Sequence, residues 1–71
     1  MIQSRTKTLG LIVRDVRKQQ KLTQEQLAAT SGVGVRFIRD LERGKESCQI
    51  EKTLNVLATL GIDIQIKDKK L

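Results

Sequence analysis

The stretch "LTQEQLAATSGVGVRFIRDLERGK", residues 22–45, constrains this chain more than any other part of it. Apolar residues recur there at helical spacing, and a Ser31-Gly32 step interrupts them. Thr23 followed three residues later by Gln26 is a capping box, in which each side chain satisfies a free backbone N–H of a helix's first turn. Leu27 and Ala28 then fall inward, and Gly32 supplies the left-handed residue that ends this helix within about two turns. A second helix is expected at once over residues 34–43, with Ile38 and Leu41 inward, Val33 packing just before it and Gly44 ending it. Two short helices around a glycine corner make a helix-turn-helix unit, here residues 23–43. The second helix also carries Arg36, Arg39 and Arg43, with Lys45 just beyond.

The flanks have to complete a core around this unit. A first helix is predicted over residues 8–20, where Leu9, Val13 and Val16 form one stripe with Ile12 beside it. Arg14, Arg17 and Lys18 gather towards its end, where positive charge suits the helix dipole. A fourth helix is predicted over residues 49–60, capped by Ser47, with Ile50, Leu54, Leu57 and Ala58 facing the core and Gly61 closing it. The period then changes. Residues 62–67 alternate strictly between apolar and polar, which predicts a strand with Ile62, Ile64 and Ile66 on one face.

With 71 residues the chain has room for one domain, residues 1–71. A core of this size typically supplies no more than about 3–5 kcal/mol, so reinforcement is expected. Cys48 has no intrachain partner, so a disulfide cannot provide it; the cysteine reads as apolar filler in a turn. Histidine is absent, which removes the usual transition-metal sites, and neither metal nor cofactor is expected. Oligomerisation remains. A lone strand leaves its backbone groups unpaired, so residues 62–67 are expected to pair with their copy about a two-fold axis. A frayed tail, or addition to another protein's sheet, are the alternatives.

Fourteen Lys and Arg against eight Asp and Glu give a net charge of +6, which favours a polyanionic partner. Nucleic acid and an anionic membrane surface both fit, and so does lysine kept for solubility alone. The basic residues do not collect opposite one broad apolar face, which argues against the membrane surface. No apolar run can span a bilayer, no signal peptide is visible, and one free thiol suits a reducing compartment; a cytoplasmic location is expected. There is no nucleophile–base pair, no phosphate loop and little volume for a substrate pocket, so an enzyme is not expected.

A helix fits the DNA major groove, about 12 Å wide, and guanidinium groups can bond guanine bidentately or pair with phosphate. The plainer reading is two helices of a small bundle with a solvated polar face. The density of arginine on the helix over residues 34–43, and Gln24 rather than a carboxylate at the start of the helix before it, weigh towards DNA.

These residues resemble the XRE/Cro-type helix-turn-helix of phage repressors and many bacterial regulators, and the likeness extends upstream through "LGLIVRDVRKQQK". The stretch "CQIEKTLNVLATLGIDI" is similar to the segment that follows the motif in HipB-type antitoxins. The resemblance implies a mostly α, four-to-five-helix phage-repressor-like domain whose C-terminal β-strand pairs across a homodimer. It implies a transcriptional repressor that binds a palindromic operator in double-stranded DNA, with reading helices about 34–36 Å apart or at another spacing the dimer sets. It further implies the antitoxin of a toxin–antitoxin pair with a HipA-like kinase as partner; a stand-alone repressor and a toxin-binding module with weak DNA binding are the rivals.

By position, Gln24 would bond a phosphate and brace a side chain of the reading helix. Val35, Arg36 and Asp40 would point at base edges, Arg39 would stand at the groove wall, and Arg43 and Lys45 would clamp phosphates. Arg17 and Glu42 occupy positions that pair in related repressors, although Arg17 also reads as a solvated residue. Gly34 stands where serine or threonine often caps the reading helix. Asp40 can accept from cytosine N4 or tie down Arg36 or Arg43. Phe37, the one aromatic, can meet a sugar or thymine methyl or pack against the first helix.

Overall fold

The computed structural model describes residues 5–45 and 49–63. They form four helices: α1 (Arg5–Gln19), α2 (Gln24–Ser31), α3 (Val35–Glu42) and α4 (Ile50–Leu60). The fold is mostly helical. Val13, Leu27, Ala28, Ile38, Leu41, Val56, Leu57 and Leu60 make its core, with Leu9, Val16, Leu22, Val33, Val35, Phe37 and Ile62 packed partly buried around it.

The helix-turn-helix forms as its sequence demands. Thr23 Oγ1 accepts from the Gln26 N–H at 3.0 Å, and the Thr23 N–H donates to Gln26 Oε1 at 2.8 Å. Gly32, at φ 75°, turns the chain, and the Val33 N–H returns to the Ala28 carbonyl at 3.0 Å. Only a residue tolerant of left-handed backbone closes a helix in this way cheaply.

The same closure recurs at every helix end. Leu22, Val33, Lys45 and Ile62 each donate a backbone N–H to the carbonyl five residues back, at 2.9–3.1 Å. The residue before each has positive φ: Lys21, Gly32, Gly44 and Gly61. This is the Schellman motif, in which the residue after the turn commonly makes an apolar contact back to the helix. Leu22, Val33 and Ile62 follow that rule and pack against the core. Lys45 breaks it.

Gly10 sets the crossing of α1 over α3. A Cβ there would run into the Leu41 carbonyl oxygen and stand 2.8 Å from that of Glu42. The two backbones therefore touch at the C-terminal end of α3, and Thr6 Oγ1 donates to the Gly44 carbonyl at 3.0 Å just beyond. Gln20 Nε2 donates to the Leu60 carbonyl at 2.8 Å, tying the end of α1 to the end of α4.

Several expectations need correction. The first helix begins at Arg5 rather than residue 8, and Ile12 is exposed. The fourth is turned about its axis: Leu57 is buried as expected, but Ile50, Leu54 and Ala58 are exposed, and Thr53, Val56 and Leu60 take the core positions. Thr53 passes as a core residue because its Oγ1 donates to the Gln49 carbonyl at 3.1 Å, which satisfies the hydroxyl locally. The N-cap of α4 is Gln49, without a side-chain cap bond; Ser47 and Cys48 lie outside the described residues. Most of the strand expected over residues 62–67, including Ile64 and Ile66, also lies outside them. Ile62, which is described, is half-buried against its own chain's core.

Candidate nucleic-acid interface

The outer face of α3 follows from its periodicity. Ile38 and Leu41 hold the helix to the core, so the positions diametrically opposite, Arg36, Arg39, Asp40 and Arg43, look outward. The three arginines are exposed and Asp40 is half-exposed. Val35 departs from its expected place: it is half-buried and packs against the core. Phe37 likewise packs there, with Lys52 Nζ of α4 standing 5.9 Å over its ring, so it braces α3 rather than projecting with the arginines. Gly34 caps α3 with extended backbone and no side-chain bond, as its lack of an acceptor requires.

Asp40 ties down a cation, but not an arginine. Its Oδ2 lies 3.6 Å from Lys45 Nζ, and its backbone carbonyl accepts the Lys45 N–H at 3.0 Å. Helical spacing pointed to Arg36 or Arg43. The Gly44 turn instead folds the chain back so that Lys45, the one polar residue at its type of position, comes over Asp40. An exposed pair of this kind contributes at most about 1 kcal/mol, so it orients Lys45 without holding it against a stronger anion.

Behind α3 a buried pair fixes the angle of the unit. Arg17 Nε donates to Glu42 Oε2 at 2.6 Å and Nη2 to Oε1 at 3.1 Å, while Nη1 donates to the Leu22 carbonyl at 2.7 Å. Both side chains are at least nine-tenths buried. Gln24 Nε2 joins them, donating to Glu42 Oε1 at 3.1 Å. One carboxylate at the end of α3 is thus gripped by α1 and by the start of α2. Gln24 thus braces the end of α3, and its amide nitrogen keeps a second hydrogen for another acceptor.

Sequence reasoning assigned Arg14 and Lys18 only to the dipole of α1. They line the same cleft as Gln24, Arg39 and Arg43. Their spacing of four residues on the polar side of α1 was the available signal, but where that side pointed depended on how α1 crosses α3. Among the described residues no group of acidic, cysteine or histidine side chains is placed to hold a metal, and no helix is long and apolar enough to cross a membrane.

Four short helices with a glycine-cornered pair and an outward arginine row define a helix-turn-helix DNA-binding domain. The chain belongs to the helix-turn-helix family HTH_3, of the XRE type, whose model matches residues 13–66; these are DNA-binding transcriptional regulators without enzymatic activity. It is 57% identical over 58 residues, 82% of this chain and 76% of the relative, to y4mF, an uncharacterized HTH-type transcriptional regulator of Sinorhizobium fredii (strain NBRC 101917 / NGR234). It is 32% identical over 57 residues to the immunity repressor protein of Bacillus phage phi105, spanning 80% of this chain and 40% of that protein. Its fold matches a chain of the HipA-HipB-O2-O3 complex with a TM-score of 0.81 at 24% identity, covering 99% of this chain and 97% of that one.

Proposed function

We propose that this regulator is a dimeric repressor that docks two copies of α3 in successive major grooves of a palindromic operator. The observation that carries the reading is the division of α3 into an inner face of Ile38 and Leu41 and an outer face of Arg36, Arg39 and Arg43. In it, Arg36 reads a base edge, Arg39 lies at the groove wall, Arg43 and Lys45 hold phosphates, and Gln24 gives its second amide hydrogen to another phosphate. Asp40 acts through Lys45. Selection of bound sequences from a random duplex pool tests this. A consensus with two-fold symmetry is expected; no enrichment, or an asymmetric single half-site, contradicts it.

The dimer is supported by the face of α4 that the core leaves uncovered. Ile50, Leu54 and Ala58 stand at i, i+4 and i+8, all exposed, with Ile50 at 66% and Leu54 at 46%. Such a stripe suits a second copy of the chain, which adds the burial that one small core lacks, as does the alternation of apolar and polar residues in the sequence over 62–67.

The finer reading is an antitoxin that represses its own operon and neutralises a HipA-like kinase. Its support is the likeness of fold to a chain of the HipA-HipB-O2-O3 complex over 99% of this sequence. Titrating the purified chain with a HipA-like kinase encoded beside it tests the point. Saturable binding with loss of kinase activity is expected; absence of binding leaves a stand-alone repressor.

A further inference from the structure

Between α1, α2 and α3 lies a cleft of roughly 320 Å³ whose walls carry Arg14, Arg17, Lys18, Arg39 and Arg43. The other two lining residues are Gln24 and Glu42. Five cations thus face one carboxylate, and that carboxylate is already engaged by Arg17 and Gln24. Among the described residues Arg14, Lys18, Arg39 and Arg43 have no ion-pair partner. Like charges crowded around one concavity repel one another unless an anion joins them, and the walls that hold them are rigid helices.

We infer that this cleft is a preformed phosphate seat, with Arg14 and Lys18 of α1 as ligands alongside Arg39 and Arg43. The chemistry required is a tetrahedral, multiply accepting anion, because guanidinium forks bond paired phosphate oxygens and a lysine adds a point charge. A backbone phosphate of bound DNA and a small free polyphosphate both carry that group. For the first source the inference rests on the operator-binding reading, and it widens the interface from the helix-turn-helix to α1. For the second it does not. Glu42 has a positioning role: it holds Arg17 and Gln24 at the floor of the cleft and leaves the four outer cations for the ligand.

The two sources are separated by two titrations of the full chain, each made on the wild type, on the double variant Arg14→Gln/Lys18→Gln, and on Lys52→Gln. Lys52→Gln removes a charge from α4, outside the cleft lining. Arg14 and Lys18 are exposed, so the double variant is expected to fold, and an unchanged amide spectrum checks this. Inorganic pyrophosphate added at constant ionic strength is expected to give saturable NMR shifts at the arginine Nε–H groups and Gln24 side-chain amide of the cleft. The double variant loses them and Lys52→Gln keeps them. On a duplex, the double variant is expected to lower the slope of log affinity against log salt by about one, the release of one phosphate contact. Pyrophosphate shifts alone assign the seat to a free anion, and a reduced slope alone assigns it to the DNA backbone; both support the seat. Failure of the wild type to bind any duplex removes the repressor reading, while the pyrophosphate titration still decides the seat. If pyrophosphate leaves the wild-type spectrum unmoved and the double variant leaves duplex binding unaltered, the proposal is overturned.

Discussion

The Arg17–Glu42 pair shows how a single buried interaction can matter more through its loss than through its presence. Replacing both partners with apolar residues of like size is often close to neutral, whereas removing one leaves an uncompensated charge and costs about 3–5 kcal/mol. Glu42→Ala is therefore expected to lower the urea midpoint severely, since it also releases Gln24. Arg17→Met/Glu42→Leu should recover most of that loss; a single variant as stable as the wild type would refute the pair's role. The outer residues divide differently. Arg36→Ala is expected to cost about 1–3 kcal/mol on the selected operator and little on random duplex, because a base contact discriminates. Lys45→Ala should weaken both duplexes alike and reduce the salt slope by about one. Equal losses for Arg36→Ala on both duplexes would move it to the phosphate class. The pairing of Asp40 with Lys45 was not legible from helical spacing, because it depends on the chain reversing at Gly44 beyond the helix.

Elements were readable where the code is local and obscure where it depends on a neighbour. The capping box at Thr23 and Gln26 and the corner at Gly32 depend on a few consecutive residues, and both formed as expected. The rotation of α4 was not readable in this way. Its apolar positions span a broad arc that includes Ile50, Leu54, Val56, Leu57, Ala58 and Leu60, and periodicity cannot say which half meets its own core. Thr53, a core residue with a hydroxyl, is invisible to any hydrophobic pattern. Gly10 was equally silent: in a helix it reads as a weak former, yet it permits the contact that aims α3. Gly10→Ala raises helix propensity by about 1 kcal/mol, but its Cβ collides with the Leu41 carbonyl. The net expectation is a loss of about 1–3 kcal/mol, the usual range for overpacking. Thermal unfolding checks it, and an increase in midpoint would show that α1 and α3 separate easily.

At the scale of the whole molecule, the mostly helical domain and its family were legible in residues 9–45, whereas the ground for a second copy lies in what one copy leaves bare. The strand expected over residues 62–67 lies mainly outside the described residues, and the exposed stripe of α4 is the structural ground for a dimer. Leu54→Glu tests that stripe without touching the core, because Leu54 is already nearly half exposed. Sedimentation is expected to show a monomer with an unchanged helical spectrum, and operator affinity should fall as the paired reading helices are lost. A dimer that persists in Leu54→Glu would confine the contact to the tail.

The most direct test is an equilibrium titration of the wild-type chain against its selected palindrome and a scrambled duplex at physiological salt. Two chains per palindrome are expected, with an affinity at least about 10³-fold above that for the scrambled duplex. One chain per duplex, or equal affinity for the two, would contradict a pair of reading helices held out by a shared frame.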